Sequence, residues 1–339
     1  MIEIVFTLDY EIYGNGTGSL RDLVYEPAER LKSLFLKHGA RFVVFPEAAE
    51  LEQIESFGTD PLIGAVKKQL RGFHAEGFEL GLHIHPWWYN ARREDQAWVF
   101  ERDDYNLCVR PAEHIEAVVG RAIGYLRRIA GDPTFTPLCF RAGHLLFQPT
   151  RPLADILAAH GVRLDSSVYR GGLWRQHKLD YRRAPKQIPF WRFRDDVIVA
   201  DPQGEMLELP IFTWQAPVWR LFTSKRVALQ QTGLSSVQTS RKILRRLGDF
   251  SRFRYPLKFD LGQMTADEMI RTAGRIFKDD RRDPSTFRPV VVLMHTKDPL
   301  DHAAADALLD DLNRRGIRIS TFSDILRAIP TPKRGQNGR

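Results

Sequence analysis

The stretch Ile-Glu-Ile-Val-Phe-Thr-Leu-Asp-Tyr-Glu, residues 2–11, is a mostly apolar and β-branched run that ends in two acidic residues, Asp9 and Glu11. Such a run is typical of a strand buried in a parallel sheet. The next segment, residues 26–38, places Leu31, Leu34 and Phe35 at helical spacing. We therefore expect the fold to be built from strands that are each followed by a helix.

The same unit recurs along the chain. Further strands are predicted at residues 41–45, 78–82, 136–140, 162–164, 206–212, 289–294 and 317–320, and helices at 62–76, 111–130, 152–160, 266–277, 303–315 and 322–328. This alternation predicts an α/β fold with a parallel sheet covered by helices, and seven or eight such units would close it into a (β/α) barrel. We expect one domain over residues 1–330 and a disordered tail at 331–339.

The charge of the chain is unevenly distributed. The 339 residues carry a formal net charge of +8 and are 43% hydrophobic, a globular composition that excludes a disordered or collagen-like chain. Residues 170–258 contain 18 basic and 7 acidic residues, so the remainder has a net charge of −3. The same interval interrupts the alternation, with antiparallel strands predicted near 188–193 and 197–200 and a basic helix near 236–247. We interpret it as an insertion over one rim of the barrel, after the fifth strand.

Several classes of protein are disfavoured by what the sequence lacks. Cys108 and Cys139 are far apart and outside any Cys-x-x-Cys spacing, which argues against a disulfide framework or a thiolate zinc site. No run approaches about 18 apolar residues, so no transmembrane segment is predicted. The acid at Glu3 and the lack of a basic region before the apolar run argue against a signal peptide, and a cytoplasmic location is expected.

Polar residues follow most of the predicted strands. In a parallel barrel the carboxyl ends of all strands open on one face, so residues at these ends converge although they span most of the chain. They are Asp9 and Glu11 after the first strand, His83 and His85 after the third, Arg141 after the fourth, Asp165 after the fifth and His295 after the seventh. Carboxylates, imidazoles and a guanidinium on one face indicate a hydrolytic site.

His83 and His85 stand two residues apart in an extended segment, which points both rings to the same side. With a nearby carboxylate they would form a three-ligand site with an open position, of the kind that catalytic zinc occupies. Each pattern alone has a structural alternative, since paired histidines also serve as hydrogen-bonded strand ends, and Asp9 with Glu11 also as a cap or turn. Their combination at matching strand ends favours the metal site.

Five short motifs occur in order along the chain. They are Phe-Thr-Leu-Asp-Tyr-Glu at 6–11, Gly-Phe-Glu-Leu-Gly-Leu-His-Ile-His-Pro-Trp at 77–87, Phe-Arg-Ala-Gly at 140–143, Leu-Asp-Ser-Ser at 164–167 and Val-Leu-Met-His at 292–295, with a short Glu-Leu-Pro segment at 208–210. In this order they resemble the motifs of the NodB-type polysaccharide deacetylases, carbohydrate esterase family 4. The resemblance implies a distorted seven-stranded (β/α) barrel and hydrolysis of the N-acetyl group of an amino sugar.

The resemblance also implies a role for each matching residue. Asp9 would be the general base that takes a proton from the attacking water, with its carboxylate held ionised and oriented by Arg141. His295 would be the general acid that protonates the leaving amine, with Asp165 as its partner. A divalent metal, with zinc favoured, would polarise the acetyl carbonyl.

Two positions depart from the family pattern. Tyr10 replaces an Asp metal ligand, which leaves Glu11 as the nearest substitute, and Trp87 stands where the family has its second histidine, so that His85 would supply that ligand. The implied metal ligands are therefore Glu11, His83 and His85, and a metal-free site is the alternative. Whether Asp9 or Glu11 binds the metal stays open.

Candidate substrate contacts lie beside these motifs. They are Tyr10, Trp87, Gly143 and His144, and an aromatic face such as that of Trp87 stacks on sugar rings. The basic interval 170–258 is expected to border the site and to attract an anionic substrate, such as the diphosphate of an activated sugar or a lipid-phosphate headgroup. The basic residues expected to contact it are Arg182, Arg183, Arg192 and Arg194.

Three functions stay open from the sequence. The leading one is a metal-dependent hydrolase that removes an N-acetyl group from an amino sugar in a surface polysaccharide or in its nucleotide- or lipid-linked precursor. The same barrel would suit another C–N bond, as in relatives similar to allantoinase, or a glycosidic bond, although Arg141, Asp165 and His295 argue against a glycosidase. The third is a catalytically idle protein that binds a saccharide or another anion.

The partner we expect is a saccharide. Nucleic acid is not expected, since no nucleic-acid-binding motif is present. Peripheral contact with a membrane and the oligomeric state stay open.

Overall fold

The structure, a computed structural model, describes residues 1–217, 219 and 253–329. The strands are β1 (Ile2–Tyr10), β2 (Val43–Pro46), β3 (Glu79–Leu80), β4 (Leu82–Ile84), β5 (Arg92–Glu94), β6 (Ala97–Val99), β7 (Cys139–Ala142), β8 (Leu164–Asp165), β9 (Leu173–Trp174), β10 (Leu179–Asp180), β11 (Trp191–Phe193), β12 (Met206–Glu208), β13 (Thr213–Pro217), β14 (Arg254–Lys258), β15 (Arg288–His295) and β16 (Arg318–Ile319). The helices are α1 (Glu26–Lys37), α2 (Ala48–Phe57), α3 (Ile63–Ala75), α4 (Ala112–Ala130), α5 (Leu153–Ala159), α6 (Ala266–Arg282), α7 (His302–Arg314) and α8 (Phe322–Ala328).

Two five-stranded sheets form the centre of the fold. The first has the order β15–β1–β2–β3, with β16 also paired to β1, and all its pairs are parallel. The second has the order β11–β12–β8–β7–β4 and is parallel except for the pair of β11 and β12. The predicted α/β fold with parallel strands is thus confirmed.

Single bridging pairs connect the two sheets. Glu47 pairs with His83 between β2 and β4, and Ile211, just after β12, pairs with Val291 of β15. A further bridge joins Asp260, just after β14, to Leu293 of β15, and so places the two-stranded sheet of β13 and β14 beside β15. Because these connections are isolated pairs, the described strands form two hydrogen-bonded sheets, and the distorted seven-stranded barrel stays a prediction.

Successive side chains of β1 alternate between two faces of the sheet. All nine residues of the strand are buried. Val5 packs in an inner cluster between the sheets, whereas Ile4, Phe6, Leu8 and Tyr10 belong to the outer cluster beneath the helices. Successive strand side chains point to opposite faces, so Asp9 shares the inner face with Val5.

Some elements differ from the expectation. Helix α2 was not predicted from the sequence. Its first turn is capped by the Glu47 carboxylate, which accepts a hydrogen bond from the backbone N–H of Glu50. No strand forms at 197–200, and the helix predicted near 236–247 and the tail 331–339 lie outside the described residues.

The interval 170–258 also differs, because it contributes β12 to the central sheet beside β8 and so is not wholly an insertion. Over the described ranges, none of the helices combines the length and the apolar character that crossing a membrane requires.

Candidate active site

The strand ends bring six of the predicted residues to one face of the fold. Asp9 of β1 lies opposite His295 of β15, and His83 of β4 lies opposite Arg141 of β7, in parallel register. Glu11 and His85 follow Asp9 and His83 by two residues and so continue on the same side. All of these side chains are buried except that of His295, which is partly exposed.

Tyr10 does not belong to this group, contrary to expectation. It stands between Asp9 and Glu11 on β1 and therefore points to the opposite face. Its hydroxyl donates a hydrogen bond to Gln69 of α3 (2.5 Å), and its ring is fully buried under the helices. Tyr10 is a core residue and does not contact the site face.

Glu11, His83 and His85 place three ligand atoms close together. The Nε2 atoms of the two histidines are 3.2 Å apart, and Oε2 of Glu11 lies 3.3 Å from Nε2 of His85 and 3.7 Å from Nε2 of His83. Ligand atoms about 2.0 to 2.1 Å from one tetrahedral zinc ion are roughly 3.3 Å from each other. The separations therefore fit a tetrahedral site with three protein ligands.

Further hydrogen bonds orient His83 and His85. The Nδ1 atom of His83 donates to the carbonyl oxygen of Arg141 (2.8 Å), which leaves the Nε2 lone pair free for a metal. The backbone N–H of His85 donates to Oε1 of Glu47 (2.6 Å), a contact that fixes the extended segment carrying both rings.

The protonation states of the ligands also suit a cation. Burial lowers the pKa of His85 well below its usual value, so that its ring is neutral. Burial alone would raise the pKa of Glu11, but the Lys297 ammonium holds it well below the usual range. A neutral imidazole and a carboxylate are the forms that bind a divalent ion.

Asp9 is held by a fully buried arginine. Nη1 of Arg141 donates to Oδ1 of Asp9 (2.6 Å), while Nε donates to the carbonyl oxygen of Ser166 (3.0 Å). The guanidinium also lies over the ring of Phe45, 4.4 Å from its centroid. The other Asp9 oxygen, Oδ2, is 3.5 Å from Nε2 of His295. Asp9 therefore sits between a fixed positive charge and an imidazole.

His295 is surrounded by carboxylates. Its Nδ1 atom lies 3.2 Å from Asp298 and 3.7 Å from Asp260, and its Nε2 faces Asp9. Burial would lower the pKa of His295, but these three carboxylates together raise it to about 9. The ring is therefore an imidazolium at neutral pH and can donate a proton.

Asp165 does not pair with His295, which corrects the expected partnership. Its carboxylate accepts hydrogen bonds from the hydroxyl of Ser167 (2.7 Å) and from the N–H of the same residue (3.1 Å), and it faces Glu208 across β8 and β12. Burial raises the pKa of both carboxyls. The reason is topological, because β12 and the segment at Ile211 lie between β8 and β15.

Three side chains that contact the predicted site residues were not predicted from the sequence. Asp260 and Asp298 take the place beside His295 that was expected for Asp165. Lys297 donates to Oε1 of Glu11 (2.7 Å). The signal for Lys297 was available, since it follows His295 by two residues and so shares its face.

The expected sugar platform is a closed aromatic stack. Trp87 is buried against both Tyr105 and His144, with ring centroids 4.9 and 4.7 Å away, and these two rings also stack on each other at 4.4 Å. The Trp87 ring lies 4.6 Å from that of His85. Burial lowers the pKa of His144 to about 3, and its backbone has a left-handed φ of +53°. Trp87 and His144 therefore support His85 from behind rather than present an open face.

Gly143 serves the same packing. A Cβ at this position would lie 2.6 Å from the carbonyl oxygen of Ile84 and 2.9 Å from Cδ2 of His85. Only a glycine permits this approach, so its role is to let the end of β7 pack against His85, and a substrate contact is not needed to explain it.

Three of the four arginines that were expected to contact the substrate have other partners. Arg192 donates to the carbonyl of Gly204, and Arg194 to that of Gln203, both of which precede β12. These contacts are at the amino end of the sheet, away from the site face, which corrects the expectation for both residues. Arg182 forms an ion pair with Asp180 (2.6 Å).

Comparisons with known proteins show the fold. No family model matches the sequence, and no curated protein matches it. A Mycobacterium smegmatis protein named as a polysaccharide deacetylase is 14% identical, with 100% of this chain and 94% of that one covered and a TM-score of 0.55. The PuuE allantoinase is 13% identical, with 96% of this chain and 89% of that one covered and a TM-score of 0.53. The GH57 branching enzyme of Thermococcus kodakaraensis is 11% identical, with 98% of this chain and 72% of that one covered and a TM-score of 0.53.

The chain thus shares its fold with proteins of three different names, among them a polysaccharide deacetylase, the class whose fold the motifs predicted. A shared fold does not determine the reaction, so the function has to be argued from the site.

Proposed function

We propose that this protein is a metal-dependent hydrolase that removes an N-acetyl group from an amino sugar, on a fold shared with a polysaccharide deacetylase. One observation carries the proposal. Three ligand atoms of Glu11, His83 and His85, 3.2 to 3.7 Å apart, lie beside an Asp9 that is held between Arg141 and His295. This combines a cation site, a base and an acid on one face, which is the set that amide hydrolysis needs.

Each side chain has a defined task in this proposal. Glu11, His83 and His85 would hold a divalent ion, and their ligand types match zinc. Such an ion, when bound, polarises the acetyl carbonyl and makes water more acidic. Asp9 accepts the proton of the attacking water, and Arg141 keeps the Asp9 carboxylate oriented for this step.

His295 acts at the other end of the reaction. As an imidazolium it protonates the nitrogen of the leaving amine, which converts a poor leaving group into a neutral amine. Asp298 and Asp260 hold the ring in its charged form through contacts at Nδ1, so that Nε2 faces the reacting groups.

The substrate that we propose is a saccharide, either in a surface polysaccharide or in a nucleotide- or lipid-linked precursor. Beside His295 lies a cavity of about 430 Å³ whose lining includes Arg30 and Lys297 as well as Asp22 and Asp298. Because the charge of this lining is mixed, the substrates compared in the test below decide between a polysaccharide and a phosphorylated carrier.

A second candidate is hydrolysis of another C–N bond, for which the same base, acid and cation site would serve. A glycosidase is less suited to the geometry, because it needs two carboxylates flanking the scissile bond. Here Asp9 and Glu11 both come from β1, and each is already bound by a cation, Arg141 or Lys297.

The test is acetate release from N-acetylglucosamine oligomers and from UDP-N-acetylglucosamine, with allantoin as the alternative substrate. Asp9→Asn and His295→Asn should each lower kcat/KM by about 10²- to 10⁴-fold, and chelation should abolish activity until zinc is restored. His160→Asn, at a surface ion pair with Glu116, is the matched control and should retain full activity. Acetate release that survives both substitutions and chelation would rule out the proposal, and hydrolysis of allantoin alone would select the second candidate.

A further inference from the structure

Lys297 occupies one side of the Glu11 carboxylate. Its Nζ atom lies 2.7 Å from Oε1 of Glu11, and the nearest other acceptor is the carbonyl oxygen of Ile12 at 3.4 Å. The second oxygen of Glu11, Oε2, is the one that faces His83 and His85. The two oxygens of one carboxylate are thus assigned to different partners.

The backbone fixes Lys297 in this place. Past the ends of β1 and β15, the N–H of Thr296 donates to the carbonyl oxygen of Asp9 (3.0 Å), and the Thr296 hydroxyl donates to the carbonyl oxygen of Glu11 (3.2 Å). These contacts extend the pairing of the two strands by one step. Lys297 therefore lies directly across from Glu11, as His295 lies across from Asp9.

A glutamate can bind a cation through one oxygen or through both. Its additional methylene, compared with aspartate, lets the carboxylate turn so that both oxygens face the ion. A catalytic zinc site keeps a position open for water and substrate, and two-oxygen binding would occupy it. An ammonium that holds Oε1 leaves only Oε2 for the ion.

We propose that Lys297 restricts Glu11 to binding a divalent cation through one oxygen, and thereby keeps open the coordination position that the reaction uses. The inference rests on the cation site of the proposed function. It makes Lys297 a positioning residue, because it acts through Glu11 and need not touch the substrate.

The charge around Glu11 is consistent with this role. Glu47 and Glu50 are also fully buried nearby, and burial raises the pKa of both. Glu47 accepts hydrogen bonds from the backbone N–H groups of His85 and Glu50. Glu50 accepts one from the backbone N–H of Ile12. The ammonium of Lys297 is directed at Glu11, which is the carboxylate of the cation site.

The test is cobalt(II) and zinc binding by Lys297→Met, which removes the donor and keeps the length of the side chain. Four-coordinate cobalt(II) absorbs visible light more strongly than five-coordinate cobalt(II). We expect the wild-type protein to show the strong visible absorption of four-coordinate cobalt(II), and Lys297→Met to show the weaker absorption of five-coordinate cobalt(II). Zinc affinity, measured by competition with a chelating dye, should rise about tenfold or more because a like charge has been removed.

Lys32→Met is the matched control, because Lys32 is an ion-paired lysine of similar exposure (20% against 18% for the Lys297 side chain) whose partner Glu76 is far from the site. Its spectrum and affinity should equal those of the wild type. Lys297→Gln, which keeps a neutral donor, should fall between the wild type and Lys297→Met and serves if the methionine variant does not fold.

The outcomes separate the two proposals. If the wild type binds cobalt and zinc but Lys297→Met, or Lys297→Gln in its place, shows an unchanged spectrum, the role of Lys297 is refuted and the proposed function stands. Tighter zinc binding with an unchanged spectrum also refutes it, because it would show charge repulsion alone. If the wild type binds neither ion, the cation site of the proposed function is refuted, and this inference with it.

Discussion

The Asp298→Asn substitution tests how the acid of the site is charged. Asp298 is the carboxylate nearest to Nδ1 of His295, at 3.2 Å, and the side chain keeps its shape when it becomes an amide. Since the carboxylates raise the pKa of His295 to about 9 against burial, loss of the nearest one should lower it. Asp260 and Asp9 remain, so the shift should be partial.

The magnitude follows from the size of the shift. An opposite charge within hydrogen-bonding distance is worth about one to three pKa units, so the His295 pKa should fall to roughly 6 to 8 in the variant. A folded-state pKa above the ordinary value of 6.5 stabilises the fold fully below pH 6.5, and this contribution is lost as the pH rises through 9. The rise of the His295 pKa from 6.5 to about 9 corresponds to about 3 kcal/mol of folding stability. Asp298→Asn should lose about 1 to 3 kcal/mol of this stability at pH 6 to 7.

The assay is NMR titration of the imidazole signals, with the His295 resonance assigned by its loss in His295→Asn. Asp165→Asn is the discriminating control, because Asp165 was the partner expected from the sequence but contacts Ser167 instead. An unchanged His295 pKa in Asp298→Asn, or a larger shift in Asp165→Asn, would refute the reasoning. With substrate, the alkaline fall of kcat/KM should move to lower pH by the same amount.

Three further substitutions test the packing of the site. Gly143→Ala should displace His85, weaken zinc binding and lower the free energy of unfolding by about 1 to 3 kcal/mol, measured by calorimetry and denaturant titration. Arg141→Met should take from the buried Asp9 its hydrogen-bonded positive charge and leave only the more distant His295, with a cost of about 3 to 5 kcal/mol in the same titration and a loss of acetate release. Tyr10→Phe removes only a core hydroxyl, so stability should fall by about 1 kcal/mol while kcat/KM stays unchanged; a large loss of activity would return Tyr10 to the site.

Much of the site face could be predicted from the sequence because strand ends converge in any parallel α/β sheet. Asp9, His83, Arg141 and His295 each follow an apolar run, and the structure places them together. The ordered motifs also predicted the fold that the solved structures share. These features are local, since each depends on a short run of residues and the position directly after it.

The errors concern properties that depend on which strands are neighbours. The family resemblance implies that Asp165 pairs with His295, yet β12 separates their strands and the segment at Asp260 is the one beside β15. Arg192 and Arg194 were placed near the site by charge alone, although the antiparallel direction of β11 turns them to the other end. Neither the order of strands nor the direction of an irregular one is encoded in a local pattern.

Spacing by two residues explains both the success at Glu11 and the failure at Tyr10. Three strand ends carry functional pairs at this spacing: Asp9 with Glu11, His83 with His85, and His295 with Lys297. Because β1 and β15 are in parallel register, the first residues of their pairs, Asp9 and His295, contact each other. The second residues, Glu11 and Lys297, contact each other two positions further along.

A shift of one residue in any of these strands would turn its pair outward and bring an apolar residue into the site. The Asp-x-Glu spacing is therefore what this geometry requires of β1. An aspartate at position 10 would point under the helices, so it could not serve the cation site without a change in the strand itself.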